Sequence, residues 1–243
     1  ARGLVLENGI GGFTQDGREY VITTSEAQRT PAPWSNVLAN PQFGTVISES
    51  GQAYTWHENA HEFRLTPWHN DPVSDASGEA FYLRDEHTGV FWSPTALPAP
   101  SGGMYTTRHG FGYSVFEHTA QGIHSELTGF VPLDAPLKYS VFRLRNDSSA
   151  PRRLSLTGYV EWALGASRMQ VVTGRDAASG ALFAQDAGSA SAAFFHLDAG
   201  NPAFTCDRIE FIGRGRNPMQ PAALARASLS GAFGAGCDPC AAL

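Results

Sequence analysis

The clearest pattern along the chain is a two-residue alternation that runs from Arg153 to Trp162. The apolar or small positions of this run are Leu154, Leu156, Gly158, Val160 and Trp162, and the intervening ones are Arg153, Ser155, Thr157, Tyr159 and Glu161. Because successive side chains of a β-strand point to opposite faces of the sheet, this period indicates a strand. We therefore predict a strand here with one face buried.

Short runs of β-branched and aromatic residues elsewhere predict further strands. These runs cover residues 18–24, 43–48, 53–57, 81–85, 90–93, 113–119, 123–128, 137–145, 181–184, 192–196 and 208–212. Turn residues separate several of them, and Glu86–Gly89 and Gln121-Gly122 have the length and the glycine that hairpin loops favour. The spacing of these strands is typical of antiparallel sheets.

One segment favours a helix, namely Ala222–Leu229, which follows Pro221. Since helices do not alternate with the strands, a parallel α/β sheet is excluded. We predict an all-β fold, a large antiparallel β-sandwich with one short C-terminal helix. The chain contains neither a linker-like stretch nor a repeat of fixed period, so residues 1–243 are predicted to form a single domain.

Composition narrows the classes of protein that need to be considered. Hydrophobic residues make up 42% and charged residues 16% of the 243 residues, which allows a sizeable core and argues against disorder. The formal net charge is −6 and the Lys and Arg residues form no run, so no nucleic-acid partner is expected. The sequence shows neither a membrane span nor a signal peptide. It begins without Met and ends on an apolar run, and we expect a piece of a longer protein.

The chain contains three cysteines, an odd number that argues against a disulfide framework. Cys237 and Cys240 form a C-x-x-C pattern, which could indicate a redox pair or half of a zinc site. Zinc needs four ligands, and Cys206 stands alone. An accidental spacing in a reducing compartment is the favoured interpretation, and we expect neither a metal nor a cofactor.

The segment Arg64–Pro72, which contains two prolines, is a predicted loop that holds the first candidate binding residues. An indole suits the apolar face of a sugar ring, and the polar groups suit its hydroxyls. The alternative is a loop that only stabilises itself, with Asn70 and Asp71 bonding their own backbone. The candidates of this loop are Arg64, Trp68, His69, Asn70 and Asp71.

Arg108 and His109 are a second pair of candidates, because they precede two glycines in Arg108–Ser114. They could lie at a sugar-facing rim, or the glycines could simply form a bulge or turn. His57 and His61 have the i, i+4 spacing of metal ligands on a helix, but His57 ends a predicted strand, so solvated loop histidines are favoured. Some acidic residues could serve a hydrolase, although sequence spacing cannot establish a pair: Glu58, Glu62, Asp71 and Asp75.

Several segments in order along the chain resemble the N-terminal β-sandwich domain of glycoside hydrolase family 94, the cellobiose and chitobiose phosphorylase family. They are Arg18–Thr24, Thr30–Asn36, Arg64–Trp68, Phe91–Thr95, Arg108–Ser114, Phe130–Pro132 and Val160–Trp162. Three others are similar to the version carried by cyclic β-1,2-glucan synthases, namely Trp68–Pro72, Glu161–Gly165 and Gly180–Ala184. Gly236–Cys240 also matches a position of this family, which removes the support for a metal or redox motif.

The resemblance implies a fold similar to galactose mutarotase domains, the supersandwich. Family members continue into a helical linker and an (α/α)6 barrel that holds the catalytic Asp and the phosphate-binding residues. We therefore expect no catalytic residue in this chain, which on this comparison stops before the last strands of the sandwich. The parent's barrel is an expected partner, and a homodimer is possible, because the sandwich supports dimer formation in the phosphorylases.

Two positions are carried over from the family. His57 lies where phosphorylases tend to have an aromatic residue near a shared site. Arg168 and Gln170 belong to a segment that matches a polar loop reaching the partner's sugar subsite, although its sequence differs from the phosphorylase version.

Three hypotheses for function follow. The first is a non-catalytic, carbohydrate-binding domain of a glucan synthase or phosphorylase, with a β-glucan or a glucose disaccharide as ligand. The second is a stand-alone mutarotase-like enzyme that uses a His and a carboxylate. The third is a purely structural sandwich that supports dimerisation. The resemblance also implies a position on the cytoplasmic face of a membrane-attached parent.

Overall fold

The computed structural model describes residues 3–164 and 170–243 of the chain. Within these residues, strands dominate and helices are short. The strands are β1 Gly11–Phe13, β2 Glu19–Thr24, β3 Ser35–Ala39, β4 Phe43–Ser48, β5 Ala53–His57, β6 Glu79–Asp85, β7 Phe91–Trp92, β8 Tyr105–Gly110, β9 Tyr113–Ala120, β10 Ile123–Phe130, β11 Tyr139–Asn146, β12 Leu154–Glu161, β13 Val171–Arg175, β14 Leu182–Asp186, β15 Ala192–Phe195, β16 Thr205–Asp207 and β17 Pro239–Ala242. The helices are α1, Arg208–Phe211, and a 3-10 helix at Ala222–Ala225.

The strands form four antiparallel sheets. The two larger sheets have the strand orders β1-β2-β8-β9-β10-β11 and β16-β17-β12-β6-β7, and the two smaller ones are β3-β4-β5 and β13-β14-β15. The two larger sheets pack face to face, since Leu83 and Trp92 of one share a core cluster with Ala120 and Ile123 of the other. The predicted all-β antiparallel sandwich is confirmed.

Strand β12 lies in the middle of its sheet and is covered on both faces. Its even-numbered side includes Val160, which packs in a cluster with Leu182 and other residues of the β13–β15 sheet. Its odd-numbered side includes Tyr159, whose ring stacks on Phe211 of α1 with centroids 4.7 Å apart. The period-two strand is therefore correct, but the expectation of a single buried face is wrong, because α1 covers the second face.

Hairpin chemistry matches the sequence at the turn between β9 and β10. Gln121 and Gly122 have φ of 53° and 76°, the left-handed pair that a two-residue hairpin requires. The turn between β6 and β7 is closed by a bond from the Gly89 amide to the Asp85 carbonyl. Both predicted hairpins are confirmed.

The predicted strand at 208–212 is wrong, because these residues form α1. Asp207 caps this helix, accepting a hydrogen bond from the amide of Ile209 at 3.0 Å. The predicted helix at 222–229 shortens to the 3-10 helix Ala222–Ala225. Only Ala223 and Leu224 of that helix are buried, and so short a segment has little intrinsic helical stability.

Six short strands were not predicted: β1, β3, β8, β13, β16 and β17. Most contain glycine, small or polar residues, so their composition gives little strand signal. Among the described residues, no helix combines the length and the apolar character needed to cross a bilayer.

Candidate functional site

The small sheet β3-β4-β5 has one face in the core and one face towards solvent. Leu38, Ile47 and Ala53 point inward and belong to a buried cluster that also includes residues of the large six-stranded sheet. The pairings Val37↔Val46 and Val46↔Tyr54 place these three side chains together on the opposite face. Since Val37 is 60% exposed, this outer face is open to solvent at β3.

Aromatic rings form a row across this outer face. The ring centroids of Tyr54 and Trp56 are 5.4 Å apart, and those of Tyr54 and Trp68 are 4.7 Å apart. Trp68 is 43% exposed. We call Trp56, Tyr54 and Trp68 the aromatic row.

A glycine allows the indole of Trp56 to lie flat on the sheet. Gly44 pairs with Trp56 across β4 and β5. A Cβ atom on Gly44 would lie 2.3 Å from Cζ2 of Trp56, closer than any packed contact. The ring therefore occupies the space that a side chain at position 44 would fill.

The loop that carries Trp68 is bound along β5. Trp56 and Arg64 form an isolated antiparallel bridge, as do Trp68 and Ser77. The hydroxyl of Thr66 accepts a hydrogen bond from the Thr55 amide at 2.8 Å. These contacts fix the loop although Pro67 and Pro72 prevent a regular ladder.

A buried ion pair lies against the inner face of β5, opposite the aromatic row. Lys138 bonds to the carboxylate of Glu79, which also accepts hydrogen bonds of 2.7 Å each from Thr55 and Thr66. Burial alone would raise the pKa of Glu79, but the Lys138 charge and these hydrogen bonds outweigh it and lower the pKa below its ordinary value. The underside of the aromatic row is thus fixed by charge-assisted contacts.

A pocket of about 240 Å³ opens next to Trp68. We call it the first pocket. Trp68, Asn70, Asp71 and Asp75 lie on its loop side, and serines of β3 and β4 lie on its sheet side. Its full lining is Ala32, Pro33, Ser35, Val46, Ser48, Gln52, Ala53, Trp68, Asn70, Asp71, Pro72, Asp75 and Ala76.

The carboxylates of the first pocket accept short hydrogen bonds from neighbouring protein groups. Asp75 accepts hydrogen bonds from the hydroxyls of Ser48 at 2.6 Å and Ser50 at 2.5 Å. Asp71 accepts from the amides of Val73 and Ser74. Hydrogen bonds from the Ser74 hydroxyl and these amides lower the pKa of Asp71. The self-bonding alternative thus describes Asp71, which nevertheless lines the pocket.

A second pocket of about 240 Å³ lies on another side of Trp68. It is lined by His61, Glu62, Arg64, Pro67, Trp68 and Ala163. Arg64 is oriented by a 3.3 Å bond from its Nε to the Ala60 carbonyl. The indole of Trp68 therefore separates two concave, partly polar surfaces.

Two further candidates, His57 and His69, belong neither to the aromatic row nor to the lining of either pocket. His57 follows Trp56 in β5, so its side chain points to the opposite face, where its ring packs edge-on against Phe63 at 5.6 Å. His69 is exposed and lines neither pocket. Gln170 is exposed immediately before β13, and Arg168 lies outside the described residues.

Arg108 and His109 are neighbours in β8, so their side chains lie on opposite faces of the six-stranded sheet. Arg108 donates from Nη1 to Glu19 at 2.6 Å, with Glu117 and Glu126 at 3.6 Å from Nη2. His109 is inside, where its Nε2 donates to the Trp34 carbonyl at 3.0 Å and its Nδ1 faces the Ser114 hydroxyl at 2.9 Å. Burial lowers the pKa of His109, which disfavours the charged form of the ring.

These two residues therefore do not share a rim. Phe111 and Gly112 make the turn between β8 and β9, and Gly112 has a φ of 83°. Their adjacency in sequence suggested a shared site, but neighbouring residues of a strand point to opposite faces of the sheet.

The sequence analysis missed the residues that make the site an aromatic surface. Tyr54 and Trp56 lie in a strand that was correctly predicted, and its alternation already places both on one face. Gln52, which lines the first pocket, could not be found in this way, because the β4–β5 turn brings it there. Among the described residues, no cluster of three or more His, Cys, Asp or Glu side chains could hold a metal ion.

Comparison of the sequence with known proteins identifies the family of the chain. Residues 18–243 match the family model described as glycosyl hydrolase 94, supersandwich domain. The chain is 38% identical over 246 aligned positions to the cyclic beta-(1,2)-glucan synthase NdvB of Rhizobium meliloti (strain 1021), covering 97% of this chain and 9% of that protein.

Two phosphorylases are also similar to part of the chain. The N,N'-diacetylchitobiose phosphorylase of Vibrio furnissii is 36% identical over 63% of this chain and 19% of its own length. The 3-O-beta-D-glucopyranosyl-beta-D-glucuronide phosphorylase of Paenibacillus borealis is 35% identical over 60% of this chain and 18% of its length. The chain thus spans a minor part of each relative. With the family model matched from Arg18 to the last residue, the chain belongs to the supersandwich domains of glycosyl hydrolase family 94.

Proposed function

We propose that this chain is a non-catalytic carbohydrate-binding and scaffolding domain of a larger glucan synthase or disaccharide phosphorylase. Its ligand in this proposal is a β-glucan or a glucose disaccharide that lies along the aromatic row. Bond-breaking chemistry belongs to another part of the parent, for which the helical barrel is the expected partner. A cytoplasmic position is part of the proposal and agrees with the free thiols of Cys206, Cys237 and Cys240.

The observation that carries the proposal is the exposed indole of Trp68 between two pockets. Flat aromatic rings contact the C–H faces of pyranose rings, while polar groups at the rim bond the hydroxyls. Trp68 continues a row of two further rings and borders Asn70 and Asp71 on one side and Arg64 on the other. The rings and the polar groups beside them together provide the mixed polarity that a saccharide requires.

The two histidines inside the six-stranded sheet, His109 and His118, do not support a mutarotase-like mechanism. A general acid or base needs a ring nitrogen that can reach the substrate. Both nitrogens of His109 bond to protein groups, and so do both nitrogens of His118, which face Ser101 and Met104. A purely structural role is the remaining alternative and is an outcome of the test below.

The test compares the affinity of three versions of the chain for a β-1,2-linked glucose oligosaccharide by titration calorimetry. Trp68→Ala should weaken binding about tenfold, the equivalent of about 1.4 kcal/mol, because the stacking surface is lost. Phe111→Ala is the control, since Phe111 is an aromatic residue that is 85% exposed and lines neither pocket. It should bind like the unaltered chain.

Equal affinities for all three proteins would place the ligand elsewhere. The absence of any measurable binding by the unaltered chain would favour the structural role.

A further inference from the structure

The first pocket contains a buried amide that lacks a hydrogen-bond partner. Gln52 lines the pocket and is only 6% exposed. Its Nε2 has no acceptor among the described residues. A buried donor without a partner costs free energy, so an unpaired donor beside a pocket points to a ligand acceptor.

The backbone holds Gln52 in place at the end of the β4–β5 turn. Its carbonyl accepts from the Ser48 amide at 2.8 Å, and the preceding Gly51 has a φ of 86°. A Cβ on Gly51 would also lie 2.4 Å from Thr95, so the turn is specified by its glycine. The amide is thus attached to a fixed part of the sheet.

Size and charge indicate what the pocket accepts. A volume of about 240 Å³ is below the roughly 300–1,000 Å³ of pockets that enclose drug-sized ligands, so one sugar ring is the natural occupant. Asp71 and Asp75 supply carboxylate acceptors for hydroxyl groups, and the lining contains no Lys or Arg. A carboxylated sugar would meet two like charges there, which is unfavourable.

We propose that the first pocket binds one neutral hexose ring of the saccharide, with Gln52 donating to a ring hydroxyl, and that it rejects hexuronates. This inference rests on the proposed function and defines its ligand. The neighbouring sugar rings lie on the aromatic row, which begins at the pocket wall formed by Trp68.

The test titrates the ¹⁵N-labelled chain with methyl β-D-glucopyranoside and, separately, with methyl β-D-glucuronide. The glucoside should give saturable shifts around Gln52 and Trp68, and the glucuronide should bind at least tenfold more weakly. Gln52→Leu should weaken glucoside binding about tenfold while its unfolding midpoint stays equal or rises, since a buried unpaired donor is removed.

A second variant addresses selectivity without touching the core. Asp71→Asn keeps an oxygen that can accept from the amides of its turn, so the loop should persist. Removing this charge should bring glucuronide binding closer to glucoside binding.

The outcomes separate the two proposals. If longer glucans bind in a Trp68-dependent way but glucuronide binds as well as glucoside, or Gln52→Leu binds like the unaltered chain, only this inference is overturned. If neither monosaccharide nor any glucan binds, the proposed function fails as well. The glucuronide comparison uses the unaltered chain and holds whatever the stability of the variants.

Discussion

At the scale of single residues, buried carboxylates join parts of the chain that are distant in sequence. Asp85 ends β6 and receives a 2.8 Å hydrogen bond from Nε of Arg152, with further bonds from the amides of His87 and Thr88. The bond from Arg152, followed by that from the Thr88 amide, lowers the pKa of Asp85 to about 2. Asp85 therefore stabilises the folded chain in its ionised form.

This carboxylate should govern part of the acid sensitivity of the fold. The pKa of a free Asp is about 3.9, so the stabilising effect of Asp85 is complete above that pH and is lost as the pH falls towards 2. Asp85→Asn should unfold more easily at pH 7 and show a flatter dependence of its unfolding midpoint between pH 5 and pH 2. Urea unfolding across that range measures this, and parallel curves for both proteins would contradict it.

At the scale of elements, the candidate site depends on the indole of Trp56 in β5 packing over Gly44 of the neighbouring strand β4. Gly44→Ala should displace the Trp56 ring and weaken glucan binding several-fold, because the new Cβ occupies the space of the indole. Gly129→Ala in β10 is the control, since its Cβ would meet only a carbonyl at 4.0 Å. Calorimetry on both variants tests this. Unchanged affinity in Gly44→Ala would show that the row tolerates a shifted Trp56.

The elements also show which structural features could be predicted from the sequence. Strands with a strong local signal, such as β4 and β5, were predicted within a residue, and so were the hairpin turns. The sequence could not reveal that α1 covers the second face of β12, because that contact joins Tyr159 to Phe211. Local apolar content at 208–212 favoured a strand, while the Asp207 cap and the packing of Phe211 produce a helix.

The candidate site, too, could be predicted only where its residues are adjacent in sequence. Trp68, Asn70, Asp71 and Arg64 could be predicted from one short loop, because they are adjacent in sequence. Tyr54 and Gln52 enter the site only through the fold, which brings β5 and its turn beside that loop. Arg108 and His109 had equal support in sequence, yet strand alternation turns one outward and the other into the core.

At the scale of the whole molecule, the small sheet β3-β4-β5 has separate roles on its two faces. Its inner face completes the core with the six-stranded sheet, and its outer face presents the aromatic row. The alignment with a glucan synthase covers 97% of this chain and 9% of that protein, and the alignment with a chitobiose phosphorylase covers 63% of this chain and 19% of that protein. The saccharide-binding face that we propose would be a module that enzymes of either kind could use.

The most direct measurement follows the five indole N–H signals of the chain by ¹H–¹⁵N correlation NMR during a titration with a β-1,2-linked glucan oligosaccharide. The signals of Trp68 and Trp56 should shift and saturate with one common affinity. Those of Trp92 and Trp162, which are buried in the core, should stay in place. Movement of the core signals with Trp68 unchanged, or no movement of any signal at saturating sugar, would contradict saccharide binding along the aromatic row.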